Sequence, residues 1–446
     1  MRPLRVSAEW VLPVGGEPVA GGAVLVGAGG RIDAVGADAA VPRPPGAECV
    51  ELGAAALLPG LVNAHSHLEL TALRGLVRDR PFGAWLMAIR AIKEELDAEA
   101  FRASARWGVL ESFAAGITTS GDTGSTLQAA AALDELGGRG VAYHEVYGPD
   151  PAACAEVMAG LERALSVLEA RRSDRVTVGV SPHAPYTVSD PLLAAVTALA
   201  PARGLKTAMH VAESREERAL VEEGRGPFAD NLRSRGIAVE VRGPTVRWLD
   251  RVGFLACRPL LIHCVTAGAD DFEAAGRWGA TVAHCPWSNA VLGHGRADFG
   301  AMRRAGLAVG LGTDSVAAGG RPDLFAEARF AALGLGLAPR DMLRLMTADG
   351  AAALGLEGVG LLEPGAWGDL AAVGLGALAF TGAPEPEAAV AWGATASDVV
   401  FAAVAGRVVY VRARWPGVRL DAERDAYLRA ASAASRSARE RGIFAR

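Results

Sequence analysis

Between residues 57 and 317 the chain alternates short apolar runs with longer stretches rich in Ala, Leu, Arg and Glu. The apolar runs cover 56–64, 116–121, 140–146, 176–180, 205–209, 259–262, 280–283 and 308–312, and they predict eight strands. Helical stretches are predicted between them over 100–115, 127–136, 152–171, 191–202 and 299–305. Apolar strands alternating with helices imply a parallel sheet covered by those helices. Eight such units fit a closed (β/α)8 TIM barrel, an α/β fold, better than an open sheet.

The flanks follow another pattern. Residues 1–55 read as short strands with turns at Gly15-Gly16, Gly21-Gly22 and Gly29-Gly30, and strands recur at 369–373, Val399–Val404 and 407–410. A small β-sandwich domain built from 1–55 and 365–446 is expected, with a terminal helix over 422–441, around a barrel spanning 56–364.

Composition narrows the class. At 446 residues, 51% hydrophobic and 21% charged, the chain is long and apolar enough for a large core. A net charge of -5 gives no electrostatic reason for a nucleic-acid or anionic-membrane partner, and no apolar stretch has membrane-span length. Residues 1–14 alternate like a strand rather than a leader, and the five cysteines show no paired spacing, so a cytoplasmic protein with reduced thiols is expected.

The polar residues at the strand ends carry the chemistry. In an extended strand, residues i and i+2 point to the same side, so His65 and His67 can face one point. Strand four runs into His183, strand five ends in His210 with Glu213 three residues later, and strands six, seven and eight end in His263, His284 and Asp314. A barrel brings all these ends to one face, so six of the eight histidines converge where active sites are built. Each histidine alone is readable as a satisfied core residue; together they predict a metal site.

Those residues lie in motifs that resemble the amidohydrolase superfamily: Pro59-Gly60-Leu61-Val62-Asn63-Ala64-His65-Ser66-His67, His210-x-x-Glu213, Ile262-His263-Cys264, Cys285-Pro286-x-Ser288-Asn289 and Gly312-Thr313-Asp314-Ser315. The chain is similar to the deaminase and chlorohydrolase branch, and within it to aminodeoxyfutalosine and adenosylhomocysteine-type nucleoside deaminases. The resemblance implies His65, His67, His210 and Asp314 as metal ligands, with Glu213, His263 and Asp314 handling protons. Two-metal relatives bridge their ions through a lysine at the end of strand four. That strand lacks one here, and Lys93 and Lys206 are the only lysines, so one divalent ion is expected, Zn2+ ahead of Fe2+. Such an ion lowers the pKa of water to about 7, and hydroxide attack with protonation of a ring nitrogen by Glu213 expels ammonia.

For the substrate, the resemblance implies His183 as a binding residue and Glu94 or Glu95 as the partner of ribose hydroxyls. Trp85 reads as a wall against a base or as helix core. Glu69, two positions past the histidine pair, matches the aminodeoxyfutalosine group or else pairs with Arg74. The arginine that binds an amino-acid carboxylate in adenosylhomocysteine deaminases is absent from Tyr143-His144-Glu145-Val146-Tyr147, leaving Arg74 or Arg78 as substitutes. His284 is expected behind the ligands, and His144 and His294 receive no role. The implied partners are a small-molecule substrate and a second copy in a homodimer. The alternatives are a chlorohydrolase or cyclic amidohydrolase using the same metal, and a non-catalytic metal-binding scaffold.

Overall fold

The computed structural model describes residues 1–170, 173–377, 380 and 385–443. The amino-terminal strands are β1 (Leu4–Val11), β2 (Val19–Val26), β3 (Ile32–Ala37), β4 (Glu48–Glu51) and β5 (Ala55–Pro59). The barrel follows with β6 (Leu61–Ser66), β7 (Ile117–Gly124), β8 (Arg139–Val146), β9 (Val176–Pro182), β10 (Lys206–Val211), β11 (Leu260–His263), β12 (Thr281–His284) and β13 (Ala308–Leu311). The chain then returns through β14 (Leu370–Gly374), β15 (Val399–Val404) and β16 (Arg407–Val411) to the terminal helix Leu420–Glu440.

Strands β6 to β13 pair in chain order, all parallel, and a bridge from Ser66 to Asp314 joins the first strand to the end of the last. Side chains fasten that seam: Asn63 Nδ2 donates to Thr313 Oγ1 (2.8 Å), and Thr313 N donates to Asn63 Oδ1 (2.9 Å). Val62, Ala64, Val141, Tyr143, Ala208, Leu260, Ile262, Ala283 and Cys285 belong to one buried cluster in the barrel. The helices Ala98–Ala114, Gln128–Leu136, Cys154–Glu169, Asp190–Ala202 and Phe299–Arg304 fall where helical spacing predicts them. Arg171, the predicted end of the third, lies outside the described residues.

One predicted strand is two. The apolar run 56–64 divides at Gly60: β5 pairs with β1 and β14, whereas β6 opens the barrel. Pro59 has no N–H for a ladder, and a Cβ on Gly60 would lie 2.1 Å from Thr118 Oγ1, so only glycine lets the chain cross there. The expected sandwich takes the form of one mixed eight-stranded sheet, in which β1 has β4 and β5 in succession along one edge. Arg139 of β8 ties barrel to sheet through two bonds to Asp369, at 2.5 and 3.2 Å, both residues buried. Bidentate geometry compensates two such desolvated charges.

Candidate metal centre and substrate cavity

The strand ends bring His65, His67, His210, His263 and Asp314 together. His65 Nε2 and His67 Nε2 lie 3.4 and 3.5 Å from Asp314 Oδ1, and the rings of His65 and His210 are 4.9 Å apart. Donor atoms of His65, His67 and Asp314, and those of His65, His210 and His263, lie within 4.8 Å of one another. His65 is fully buried, and neither ring nitrogen has a hydrogen-bond partner. An imidazole left without partners in the interior is costly unless something else binds it. His210 Nδ1 donates to His183 O (3.1 Å), which leaves Nε2 as the lone-pair nitrogen. Neutral imidazoles with one carboxylate form a donor set that fits a borderline divalent cation.

Burial keeps the imidazoles neutral: it pushes His65 down to about 3 and lowers His67 and His263 as well. For Asp314 burial acts the other way, but the adjacent His65, His263 and His67 outweigh it and hold the carboxylate well below its ordinary range. The backbone is strained at the same places. His263 (φ 71°), Cys264 (φ 54°), Asp314 (φ 56°) and Ala212 (φ 50°) all occupy the left-handed region, which non-glycine residues adopt at a cost of ~1–3 kcal/mol each.

Glu213 stands beside this cluster. Its Oε1 lies 3.6 Å from His263 Nε2 and 3.4 Å from His294 Nε2, and Tyr186 donates to Oε2 (3.5 Å). Burial alone would raise the Glu213 carboxyl; His263 and His294 prevail and bring it to about 2. His263 Nδ1 in turn donates to Asn289 Oδ1 (2.9 Å). The neighbouring imidazoles thus favour the ionised form of Glu213.

Above the cluster opens a cavity of about 970 Å³ lined by Phe82, Trp85, Tyr186 and Phe228 as well as by Glu213, His263 and Asp314. Tyr186 and Phe228 stack at 4.2 Å, and Trp85 is both wall and buried helix core. His183 lines the cavity, with Nδ1 on Thr187 Oγ1 at 2.9 Å. Burial pushes His183 down to about 3.

The structure separates the three candidate glutamates. Glu94 lines the cavity, half-exposed and paired with Arg90 (2.8 Å). Glu95, in the turn after the Phe82–Lys93 helix, pairs instead with Arg441 just past the terminal helix. Glu69 is fully buried outside the lining, where its carboxylate accepts from the backbone and hydroxyls of Ser125 and Thr126 (2.6–3.0 Å). Arg74 pairs with Glu111, not Glu69, and neither Arg74 nor Arg78 lines the cavity.

His284 points away from the mouth. Its strand neighbours Ala283 and Cys285 face the barrel interior, so alternation sends His284 outward to a separate cavity of about 270 Å³ shared with Phe299 and Phe330. Three contributors escaped the sequence reading: His294, Tyr186 and the pair Glu145–Tyr147. The Tyr147 hydroxyl donates to buried Glu145 (2.6 Å), whose other oxygen is 3.9 Å from His210 Nδ1. Nothing local marks His294, which reaches Glu213 only because the loop after the Pro286–Val291 helix folds back over it.

Comparison with known proteins gives the same picture. Residues 56–412 match the amidohydrolase family model. A 5-methylthioadenosine/S-adenosylhomocysteine deaminase of Nitratidesulfovibrio vulgaris (strain DP4) is 32% identical over 402 residues, 86% of each chain. An adenosine deaminase from Xanthomonas campestris, solved with bound zinc, is 26% identical, covers 97% of this chain and 98% of its own, and superposes with a TM-score of 0.86. The aminofutalosine deaminase of Helicobacter pylori, solved with methylthio-coformycin, shares the fold at 20% identity and a TM-score of 0.79, over 91% of this chain and 99% of its own. With its barrel, its strand-end histidines and a match over most of its length, this chain belongs to the amidohydrolase family.

Proposed function

We propose that this protein is a zinc-dependent aminohydrolase that replaces the amino group of an adenosine-type nucleoside by oxygen. The observation that carries the reading is Glu213, a buried carboxylate 3.6 Å from His263 in the lining of a nucleoside-sized cavity, next to a cluster of imidazoles and Asp314. His65, His67, His210 and Asp314 would hold one zinc ion. When bound, it supplies the Lewis acidity that makes water acidic enough to lose a proton near neutrality.

The protein's own groups do the rest. Glu213 accepts the water proton, and His263, with Nδ1 committed to Asn289, presents Nε2 to orient the attacking oxygen. Glu213 then passes that proton to the ring nitrogen beside the carbon under attack, and Asp314 moves the remaining hydroxyl proton of the tetrahedral adduct to the amino group, which leaves as ammonia as the oxo group forms. Water and an amine enter; a carbonyl and ammonia leave.

The aromatic wall of Phe82, Trp85, Tyr186 and Phe228 suits the faces of a base, and His183 offers a polar edge to it. Glu94 rather than Glu95 is the carboxylate for the ribose hydroxyls, since it alone of the two lines the cavity. At about 970 Å³ the cavity is at the upper end of the ~300–1,000 Å³ range of small-molecule sites, leaving room for a substituent on the sugar. The test is ammonia release by zinc-loaded protein from adenosine, 5′-methylthioadenosine, S-adenosylhomocysteine and aminodeoxyfutalosine. Turnover of one or more is expected; no ammonia from any aminopurine nucleoside refutes the reading.

A further inference from the structure

Three glutamates, Glu213, Glu216 and Glu217, follow His210 on the same short segment, and only the first lines the cavity. Glu213 lines it; Glu217, on the first turn of the Arg215–Glu223 helix, is fully buried behind it. Ser214 caps that helix by accepting from Glu217 N (3.1 Å). A glutamate at this position commonly reaches back to the backbone N–H of the capping residue. Glu217 reaches further. Its Oε1 accepts from Ala212 N (2.7 Å) and from Thr245 Oγ1 (3.0 Å), and its Oε2 accepts from Glu213 N (2.9 Å).

The residue so held is the strained one. Ala212 sits at φ 50°, and its carbonyl accepts from both Thr266 N (2.8 Å) and Thr266 Oγ1 (3.1 Å). The chain between His210 and Glu213 is thus gripped on its N–H side by Glu217 and on its carbonyl side by Thr266. Strain of this kind persists only where the surroundings over-determine it. A left-handed residue one position before Glu213 reverses the chain as it leaves β10, and without the grip Ala212 would relax toward ordinary φ and swing Glu213 with it.

We propose that Glu217 is the positioning residue for Glu213: it fixes the backbone from which the proton-carrying carboxylate meets His263, His294 and the substrate ring. The proposal rests on the aminohydrolase reading for its kinetic consequence, but not for its structural one. Glu217 touches no substrate, and its work is the geometry of residues 212 and 213.

Glu217→Gln keeps the size but opposes one backbone N–H with an amide N–H. In folded protein with wild-type zinc content, kcat is expected to fall at least tenfold while KM stays within threefold. A helix-capping role alone would lower Tm and leave kcat untouched. Thr266→Val, which loosens the carbonyl side, is expected to lower kcat at least threefold with unchanged KM, and it serves if the glutamine variant does not fold. Crystal structures of wild type and the variant that folds give a readout free of activity: the distance from Glu213 to His263 Nε2 should lengthen by more than 1 Å. A variant with kcat within twofold of wild type, or with Glu213 unmoved, overturns the proposal. Absence of ammonia from wild type refutes the aminohydrolase reading instead, and the structural comparison still decides this one.

Discussion

Replacing Glu213 by glutamine isolates the proton chemistry from everything else at the site. Glutamine has the same shape, so the place of the 4% exposed Glu213 stays filled and Tyr186 keeps a partner. Glu213 is not among the four residues assigned to zinc, so the metal should load as before. What vanishes is a group that can take a proton and give it back. The flanking His263 and His294 hold Glu213 ionised, at about 2, so it enters the cycle as an acceptor and must act a second time as a donor. General acid–base assistance contributes roughly 10²–10⁴-fold. With both transfers lost, the middle of that range, about 10³-fold in kcat, corresponds to about 4 kcal/mol of barrier.

KM should change little, because an amide still hydrogen-bonds the ring edge. The assay is initial-rate ammonia release at saturating nucleoside, with zinc per chain measured on the same sample and Tm alongside. A fully zinc-loaded glutamine variant retaining kcat within threefold of wild type would show that Glu213 carries no proton, and the mechanism would fail. Equal loss of kcat and zinc would show instead that Glu213 supports the metal centre.

Three further outcomes follow from the same geometry. Zinc at a thousandfold excess over its Kd should stabilise the fold by about 4 kcal/mol, so chelation should lower Tm and abolish turnover, while His65→Asn should show no zinc-dependent Tm shift. Glu94→Gln should raise KM at least tenfold with zinc content unchanged. Glu95→Gln, which loses only a half-exposed ion pair with Arg441, should leave both constants within twofold and stability within ~1 kcal/mol. His284 is held neutral by burial, with His263 and Arg296 adding to the effect, and titrates at about 4 against an ordinary 6.5. Its contribution is therefore complete above pH 6.5 and is lost as pH falls through 4, a difference of up to ~3 kcal/mol. Denaturant midpoints across that window should fall more steeply for wild type than for His284→Gln; parallel slopes would contradict the assignment.

Much of this site was legible because a parallel barrel imposes a simple contrast. Strands buried on both faces must be apolar, so His65, His67, His210, His263 and Asp314 stand out as polar exceptions at the ends of β6, β10, β11 and β13. Where the contrast fails, the sequence misleads. The run 56–64 is apolar apart from Asn63, so its division at Pro59-Gly60 between two sheets leaves no trace in hydropathy; only the proline and glycine mark it. Glu69 and Glu94 are both acidic neighbours of apolar helices, yet one lies behind the wall and the other in it, a difference of side-chain direction that spacing does not encode. His294 belongs to a loop, and its meeting with Glu213 depends on the path of that loop alone.

Among the described residues, four of the ten non-glycine positions in the left-handed region cluster at the candidate site. Ala212, His263, Cys264 and Asp314 are ordinary L-residues in a conformation that favours glycine, and each lies at or beside a group assigned to metal or proton. No propensity argument predicts them, since every local preference points the other way. They are tolerated because bonds from elsewhere hold them: Asp314 N donates to His65 O (3.0 Å), Cys264 N to Val211 O (3.1 Å), and Ala212 is gripped by Glu217 and Thr266. The bonds of Asp314, Cys264 and Thr266 join one strand end to the next, and that of Glu217 comes from the helix after β10. The barrel thus does more than collect these side chains at one face: neighbouring strands lock one another's ends into the conformations that bring His263, Glu213 and Asp314 together.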